Sequence, residues 1–386
     1  MIEERRTGQD YAEVGEERER LQSIFSTDYL QPSYSDIESC RKKTERYLKD
    51  RNVAMVIPVK ENSPVCTFLD HLVSDLPPEC ITVVDGGSAS CALDTARRHG
   101  TRILSACAIL DTIDWDRLLP ILALDKKPCG PAGARGKGVA VFAGYLFQYA
   151  LATHQQVFPR WICQHDSELA RYEEYRGLEY LLYGLFQRPL ASYIKMAQVG
   201  RENERCMAAR SAFGDWATLP YLTPAIQKHA SRVFEKLTRD QHMLAGEFMV
   251  SWDVAMRRPF GTGFLEETLI ALFADPAVCV YNPNPRSDEK NPQHKESRMQ
   301  QEIISFMNAV VLGEQCVDAW SIHDIARFNA DVLSRPLPMG WIPDPTEQNP
   351  GPVRAEVFEQ NRIMPSIRML VDGGFIDEKM LTRLIP

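Results

Sequence analysis

Ten cysteines are scattered along the chain without a single C-x-x-C pair. Thiolate zinc sites depend on such pairs, so one is not expected. The cysteines are expected as packed or idle thiols in a reducing compartment rather than as a disulfide framework. A basic excess is also missing: 52 acidic residues stand against 44 lysines and arginines, a formal net charge of -8. That argues against a general nucleic-acid binder, because neutralising phosphates needs surplus cations. Local basic clusters can still hold a small anionic ligand. No apolar run is long enough to span a bilayer. The longest, VAVFAGYLFQYALA, falls short of the ~20 residues a crossing helix needs and contains Gln148. The first residues, MIEERRTGQDYAEVGEERERLQ, are charged throughout and hold no apolar core of a secretory signal. Internal repeats and low-complexity tracts are absent too. What remains is an expected cytoplasmic, non-membrane protein. Its 386 residues, 44% hydrophobic, suffice for one large core or two smaller ones.

Four regions differ in texture. Residues 1–50 are highly charged and read as a partly helical extension, with a Ser-x-x-Glu capping box at Ser35 and Glu38 opening SDIESCRKKTERYLKD. From 51 to 170 the pattern alternates. VAMVIPV (53–59) is a continuous β-branched run of the kind buried on both faces of a sheet. PVCTFLDHLVSD reads as a helix, CITVVDGGSAS (80–90) as a strand ending in a glycine turn, CALDTARRHG as a helix and TRILSA as a third strand. A loop, KKPCGPAGARGKG, precedes the helix VAVFAGYLFQYALATH and the short strand RWICQHDSEL. This alternation predicts a mostly parallel sheet covered by helices, with ligands bound beyond the carboxyl ends of its strands. Residues 171–300 are less regular: LEYLLYGLFQRPLASYIKMA is apolar at helical spacing, PAIQKHASRVFEKLTRDQHM is amphipathic, and MLAGEFMVSWDVAMRRPFGTGFLEETLIALFAD combines a glycine-rich turn with a helix. VCVYN then reads as a strand. Residues 301–386 read as helix plus a proline-rich wrap, RPLPMGWIPDPTEQNPGP.

Several groups along the rim carry possible chemistry, each beside an ordinary alternative. Asp166 and Glu168, one residue apart after a strand, can hold a hard cation through carboxylate oxygens; acids at such a place also make solvated turns. Asp85 can accept hydrogen bonds from a ribose or base, or from its own turn backbone. The loop GPAGARGKG (130–138) leads straight into a helix, so its free N–H groups and the helix dipole favour an anion, with Arg135 and Lys137 adding charge. It matches neither the Walker A sequence nor the dinucleotide fingerprint, and a plain connector is the alternative. His294 sits in a polar loop, solvated or ligating. His165 reads as a packed or hydrogen-bonded histidine. Glu247, after a glycine turn, can grip hydroxyls or cap a helix N-terminus.

Together, VIPVKEN (56–62), VVDGGSAS, RGKGVA and HDSE match in order and spacing the segments of GT-A glycosyltransferases over about residues 53–170. LAGEF, reaching Phe248, and NPQH (291–294) extend a resemblance to retaining mannosyl-3-phosphoglycerate and glucosyl-3-phosphoglycerate synthases to about residue 300. Glu168 stands where that family has the second Asp of D-x-D. The resemblance implies an α/β, Rossmann-like GT-A sheet flanked by helices, with a helical N-terminal extension and an irregular C-terminal acceptor-side region. It divides 51–170 from 171–300 as nucleotide-sugar-binding and acceptor-binding halves. It implies transfer of a hexose, with retention, from a nucleotide sugar such as GDP-mannose to a small hydroxylated acceptor such as glycerate or 3-phosphoglycerate. Mg2+ or Mn2+ would be held by Asp166, Glu168 and His294. Pro58, Glu61, Asp85, Gly136, Lys137 and Asp166 would bind the donor. Lys137 would neutralise the leaving diphosphate, and Glu247 would lie near sugar and acceptor. A homodimer is possible on this reading. Two other readings use the same pieces: a sugar-phosphate nucleotidyltransferase, whose glycine-rich loop should instead follow the first strand, and a nucleotide-sugar-binding protein without turnover.

Overall fold

A computed structural model describes residues 28–59, 65–87, 90–130, 133–134, 136–166, 176–200, 246–263, 265–274, 276–286, 320–334 and 362–385. The chain enters through a short strand, β1 (Asp28–Leu30), and a helix, α1 (Tyr34–Lys49). The capping box of α1 is made by Ser33 and Asp36, not by Ser35 and Glu38. Ser33 has the extended backbone an N-cap needs, and Asp36 reaches back to its N–H at 2.8 Å. A cap of this kind stabilises a helix by about 1 kcal/mol.

Two strand–helix steps and a third strand follow. They comprise β2 (Val53–Val59), α2 (Val65–Asp75), β3 (Ile81–Asp85), α3 (Ser90–His99) and β4 (Arg102–Ser105). Every residue of β2 is buried, as its unbroken apolar run predicts for a central strand. Two short helices, α4 (Ala106–Leu110) and α5 (Trp115–Ile121), and a tight hairpin, β5 (Cys129–Gly130) with β6 (Gly133–Ala134), lead into α6 (Lys137–Gln155). Helix α6 is apolar nearly all round, the mark of a helix enclosed on every side. Its one central amide, Gln148, donates to the Thr82 hydroxyl at 2.7 Å, which satisfies both groups away from water. Strand β7 (Trp161–Gln164) follows.

The later part holds α7 (Gly177–Gln187), β8 (Tyr193–Gly200), β9 (Phe248–Ser251), α8 (Trp252–Arg257), β10 (Phe260–Gly261), α9 (Leu265–Phe273) and β11 (Ala277–Arg286). The helical spacing read across LEYLLYGLFQRPLASYIKMA is therefore wrong beyond Gln187. The helix stops at Arg188, before Pro189, and the next apolar run is a buried strand. At the C-terminal end, α10 (Ile322–Ser334), β12 (Ile363–Met364), α11 (Ile367–Asp372) and α12 (Glu378–Thr382) are described. PAIQKHASRVFEKLTRDQHM and the proline-rich wrap lie outside the described residues.

Eight strands form one sheet in the order β1-β11-β8-β9-β7-β2-β3-β4. All neighbours are parallel except β9, which runs antiparallel to both β7 and β8. Each face carries its own core. One centres on α6 and extends to Ile363, Ile367 and Leu370 near the C-terminus; the other packs α2 and α7 over Met55, Ile57 and Ile194. Among the described residues, no helix is long and apolar enough to cross a membrane. One expectation holds only in part: Cys80 and Cys163 are buried thiols, but Cys107, on α4, and Cys129, on β5, are disulfide-bonded. The pair lies 22 residues apart in sequence, a distance no local spacing rule covers.

Candidate functional site

The strand order places the site. From β2 the chain steps outward through β3 to β4, then returns to lay β7 on the other side of β2. Where the direction of winding reverses, the loops beyond the strand ends part and leave a crevice. Asp166 follows β7 by two residues at this point, and Pro58 is buried near the end of β2.

The glycines of the loop before α6 are fitted against their neighbours. At Gly133 (φ +93°) a Cβ would lie 2.2 Å from the Gly86 carbonyl oxygen, and Ala134 N–H donates to that oxygen at 2.8 Å. The hairpin is thus seated on the turn after Asp85. At Gly136 (φ +114°) a Cβ would meet the Thr262 carbonyl oxygen at 2.6 Å. Only glycine permits both the left-handed backbone and this approach. Lys137, the first residue of α6, is therefore delivered to a fixed place between two turns.

The Lys137 ammonium contacts two carboxylates. It forms an ion pair with Asp166 and another with Glu267 of α9, at 2.7 Å. Their side chains are only 16% and 2% exposed, and Lys137 is 18% exposed. Burial alone would lower the Lys137 pKa, but the charges and hydrogen bonds of Asp166 and Glu267 outweigh it and raise it. The amine stays charged. Beside it, the β7–β9 register sets Gly246 against Asp166 just past the last paired residues, Gln164 and Phe248. A Cβ on Gly246 would lie 2.3 Å from the carboxylate of Asp166, so the glycine leaves this acid its room. His165 is fully buried and donates from Nδ1 to the Asp166 carbonyl at 3.0 Å, as expected for a packed histidine.

The other predicted residues separate into three groups. Asp85 accepts the Gly87 N–H at 2.8 Å, so one of its oxygens is committed to the turn. Glu247 is wholly buried and heads a strand, not a helix. Burial, with the Glu247 carboxylate adding to it, pushes the Cys163 thiol pKa up. Glu61, Arg135, Glu168 and His294 lie outside the described residues. Among the described residues, no three acids, histidines or cysteines gather around a common point. Asp166 by itself is a suitable hard ligand: a carboxylate at the rim, with room kept by Gly246 and a cationic neighbour for an anionic co-ligand.

Nothing in the sequence singles out Glu267. Its one signal was its place in the first turn of a helix after GTG, where acids are ordinary. Its neighbour Glu266 is paired with Arg258, and both are fully buried. Burial raises the Glu266 pKa, and Arg258 only partly offsets it.

No protein-family model and no curated protein sequence matches the chain. Among solved structures, the glucosyl-3-phosphoglycerate synthase of Mycobacterium tuberculosis in complex with uridine diphosphate matches with a TM-score of 0.50 at 16% identity, over 89% of this chain and 99% of that one. The same enzyme in complex with Mn2+, UDP-glucose and glycerol 3-phosphate matches at 0.49 and 16%, with the same coverage. The mannosyl-3-phosphoglycerate synthase of Rubrobacter xylanophilus matches at 0.48 and 16%, over 78% of this chain and 85% of that one. The fold is thus GT-A, with the mostly parallel, helix-flanked sheet described above.

Proposed function

We propose that this chain is a metal-dependent, retaining glycosyltransferase. It would move a hexose from a nucleoside-diphosphate sugar to a small polar acceptor such as glycerate or 3-phosphoglycerate. The observation that carries the reading is the meeting of Lys137 and Asp166 at the switch point of a GT-A sheet. The mycobacterial structural neighbour, crystallised with uridine diphosphate, favours a uridine diphosphate sugar as donor; a guanosine diphosphate sugar such as GDP-mannose is the second donor to test.

The residues divide the work by charge. A diphosphate leaving group develops negative charge as the glycosidic bond breaks, and a preplaced cation stabilises that charge more than the ground state. Lys137 is such a cation, held by two acids until a phosphate oxygen competes for it. The Asp85 turn and Gly136 would line the nucleoside and phosphate side, with Glu61 beside them. Asp166, Glu168 and His294 would hold Mg2+ or Mn2+, which supplies Lewis acidity to the diphosphate. Glu247 would lie under the sugar and acceptor. The nucleotidyltransferase alternative fits less well, because the glycine-rich loop follows β4 and not the first strand of the α/β unit.

The test is direct. The protein is incubated with UDP-glucose or GDP-mannose and with D-glycerate or 3-phosphoglycerate, in Mn2+, Mg2+ or EDTA. Release of nucleoside diphosphate and the anomeric configuration of the product are followed. Metal-dependent release with retention is expected. A folded protein that shows neither turnover nor a thermal shift with any donor and Mn2+ would refute the reading.

A further inference from the structure

Among the described residues, Arg258 is one of the largest fully buried side chains, and it sits in an unusual enclosure. Its guanidinium lies 4.1 Å from the centroid of Phe260 and 5.2 Å from that of Tyr145, and it is ion-paired with Glu266. Both partners are about 1% exposed. The second oxygen of Glu266 accepts the Gly261 N–H at 3.1 Å. Residues 258, 261 and 266 are thereby tied together, which fixes the start of the 260–263 turn.

That turn is what Lys137 rests on. A Cβ on Gly138 would lie 2.0 Å from the Gly261 carbonyl oxygen, and one on Gly136 would lie 2.6 Å from that of Thr262. Glu267, the residue after Glu266, receives the Lys137 ammonium. The outer side of the turn is pinned as well: Thr262 N–H donates to the Arg362 carbonyl at 3.0 Å, and Arg362 N–H donates to the Thr262 hydroxyl at 2.8 Å. A buried ion pair is a poor way to gain stability, since apolar residues of the same volume often serve as well or better. Its better-attested use is to specify one geometry among several.

We propose that Arg258 and Glu266 are positioning residues: the buried pair holds the 260–263 turn and Glu267 so that the Lys137 ammonium stands at the switch point. This rests on the role given to Lys137 in the proposed function. Misplacement of a charge-stabilising group acts on the chemical step more than on donor binding.

Two folded variants test it. Arg258→Met with Glu266→Leu replaces the pair by apolar side chains of similar bulk; Glu266→Gln keeps the shape and removes the charge. With UDP-glucose or GDP-mannose and Mn2+, the double variant is expected to lose about 10–100-fold in kcat with donor KM nearly unchanged. Glu266→Gln is expected to lose less. A crystal structure of each gives a second readout, the Lys137 Nζ to Glu267 Oε1 separation, expected to pass ordinary hydrogen-bond reach from 2.7 Å. A folded double variant, or a folded Glu266→Gln should the double variant not fold, with parental kcat and the parental separation overturns the proposal. If the parent turns over neither donor, the reading of Lys137 fails while the crystallographic comparison still decides the positional claim.

Discussion

Lys137 shows how one side chain can be both a stabilising and a functional group. Its ammonium separates Asp166 and Glu267, whose side chains are 16% and 2% exposed. Lys137→Ala would leave those two acids facing each other without a counter-charge, and should cost about 3 kcal/mol of stability, the low end for a buried pair because Lys137 and Asp166 are partly exposed. Urea denaturation reads that loss. Mn2+ should restore part of it in the variant, because a cation can take the vacated place between the acids. Turnover should fall by about 10²-fold or more, with Lys137→Arg intermediate because its planar fork fits two separated carboxylates differently. Denaturation midpoints equal to the parent's, with no response to Mn2+, would show that the ammonium neutralises nothing there. The sequence exposed Lys137 and Asp166 through their places beside a glycine loop and a strand end. It did not expose Glu267, because one acid in a helix first turn resembles any other.

At the scale of elements, the packing of α6 against the 260–263 turn sets the site. Two glycines of α6 differ in what surrounds them. A Cβ at Gly138 would meet two backbone carbonyl oxygens, at 2.0 and 2.8 Å; at Gly144 it would meet the methyl groups of Val56 and Val84, at 2.5 and 2.9 Å. Backbone cannot step aside, whereas methyl groups can rotate or shift. Gly138→Ala should therefore destabilise by about 2–3 kcal/mol and weaken nucleotide binding. Gly144→Ala should cost less, since the gain in helix propensity, about 1 kcal/mol, offsets part of the crowding. Chemical denaturation of the two variants, with equilibrium binding of UDP, checks the order; equal costs would contradict it. The α6 boundaries were legible, because glycine precedes it and its apolar run is long. The β8 strand was misread although Pro189 marked the break, since short apolar runs satisfy either period.

For the whole molecule, the C-terminal segment belongs to the main core. Ile363, Met364, Ile367, Leu370, Phe375 and Leu381 are all buried, and β12 pairs with β10 in the turn beneath Lys137. Asn329 of α10 binds this segment in both directions, donating to the Ile363 carbonyl and accepting its N–H at 3.0 and 2.9 Å. Each buried side chain of this size contributes about 1.5–3 kcal/mol. Six of them match or exceed the whole net stability of a domain, about 5–15 kcal/mol. A chain ending at residue 361 should lose its cooperative thermal transition and bind a hydrophobic dye. A truncated protein with a sharp, parent-like transition would show that the segment is dispensable.

Unbroken apolar runs determined β2, β3, α6 and β7, because a strand buried on both faces and a helix enclosed all round leave few polar positions in their sequence. The chain order of those elements also determined that Asp85, the glycine loop and Asp166 share one rim, since parallel strands all end on the same side. Tertiary structure alone decided the rest. It laid β9 antiparallel between β7 and β8, brought Glu267 to Lys137 across 130 residues, joined Cys107 to Cys129 and closed the core with residues 362–385. Contacts of that kind depend on where distant segments cross in space. Local spacing carries no information about such crossings, because an acid, a thiol or an apolar residue has the same form whatever will come to face it.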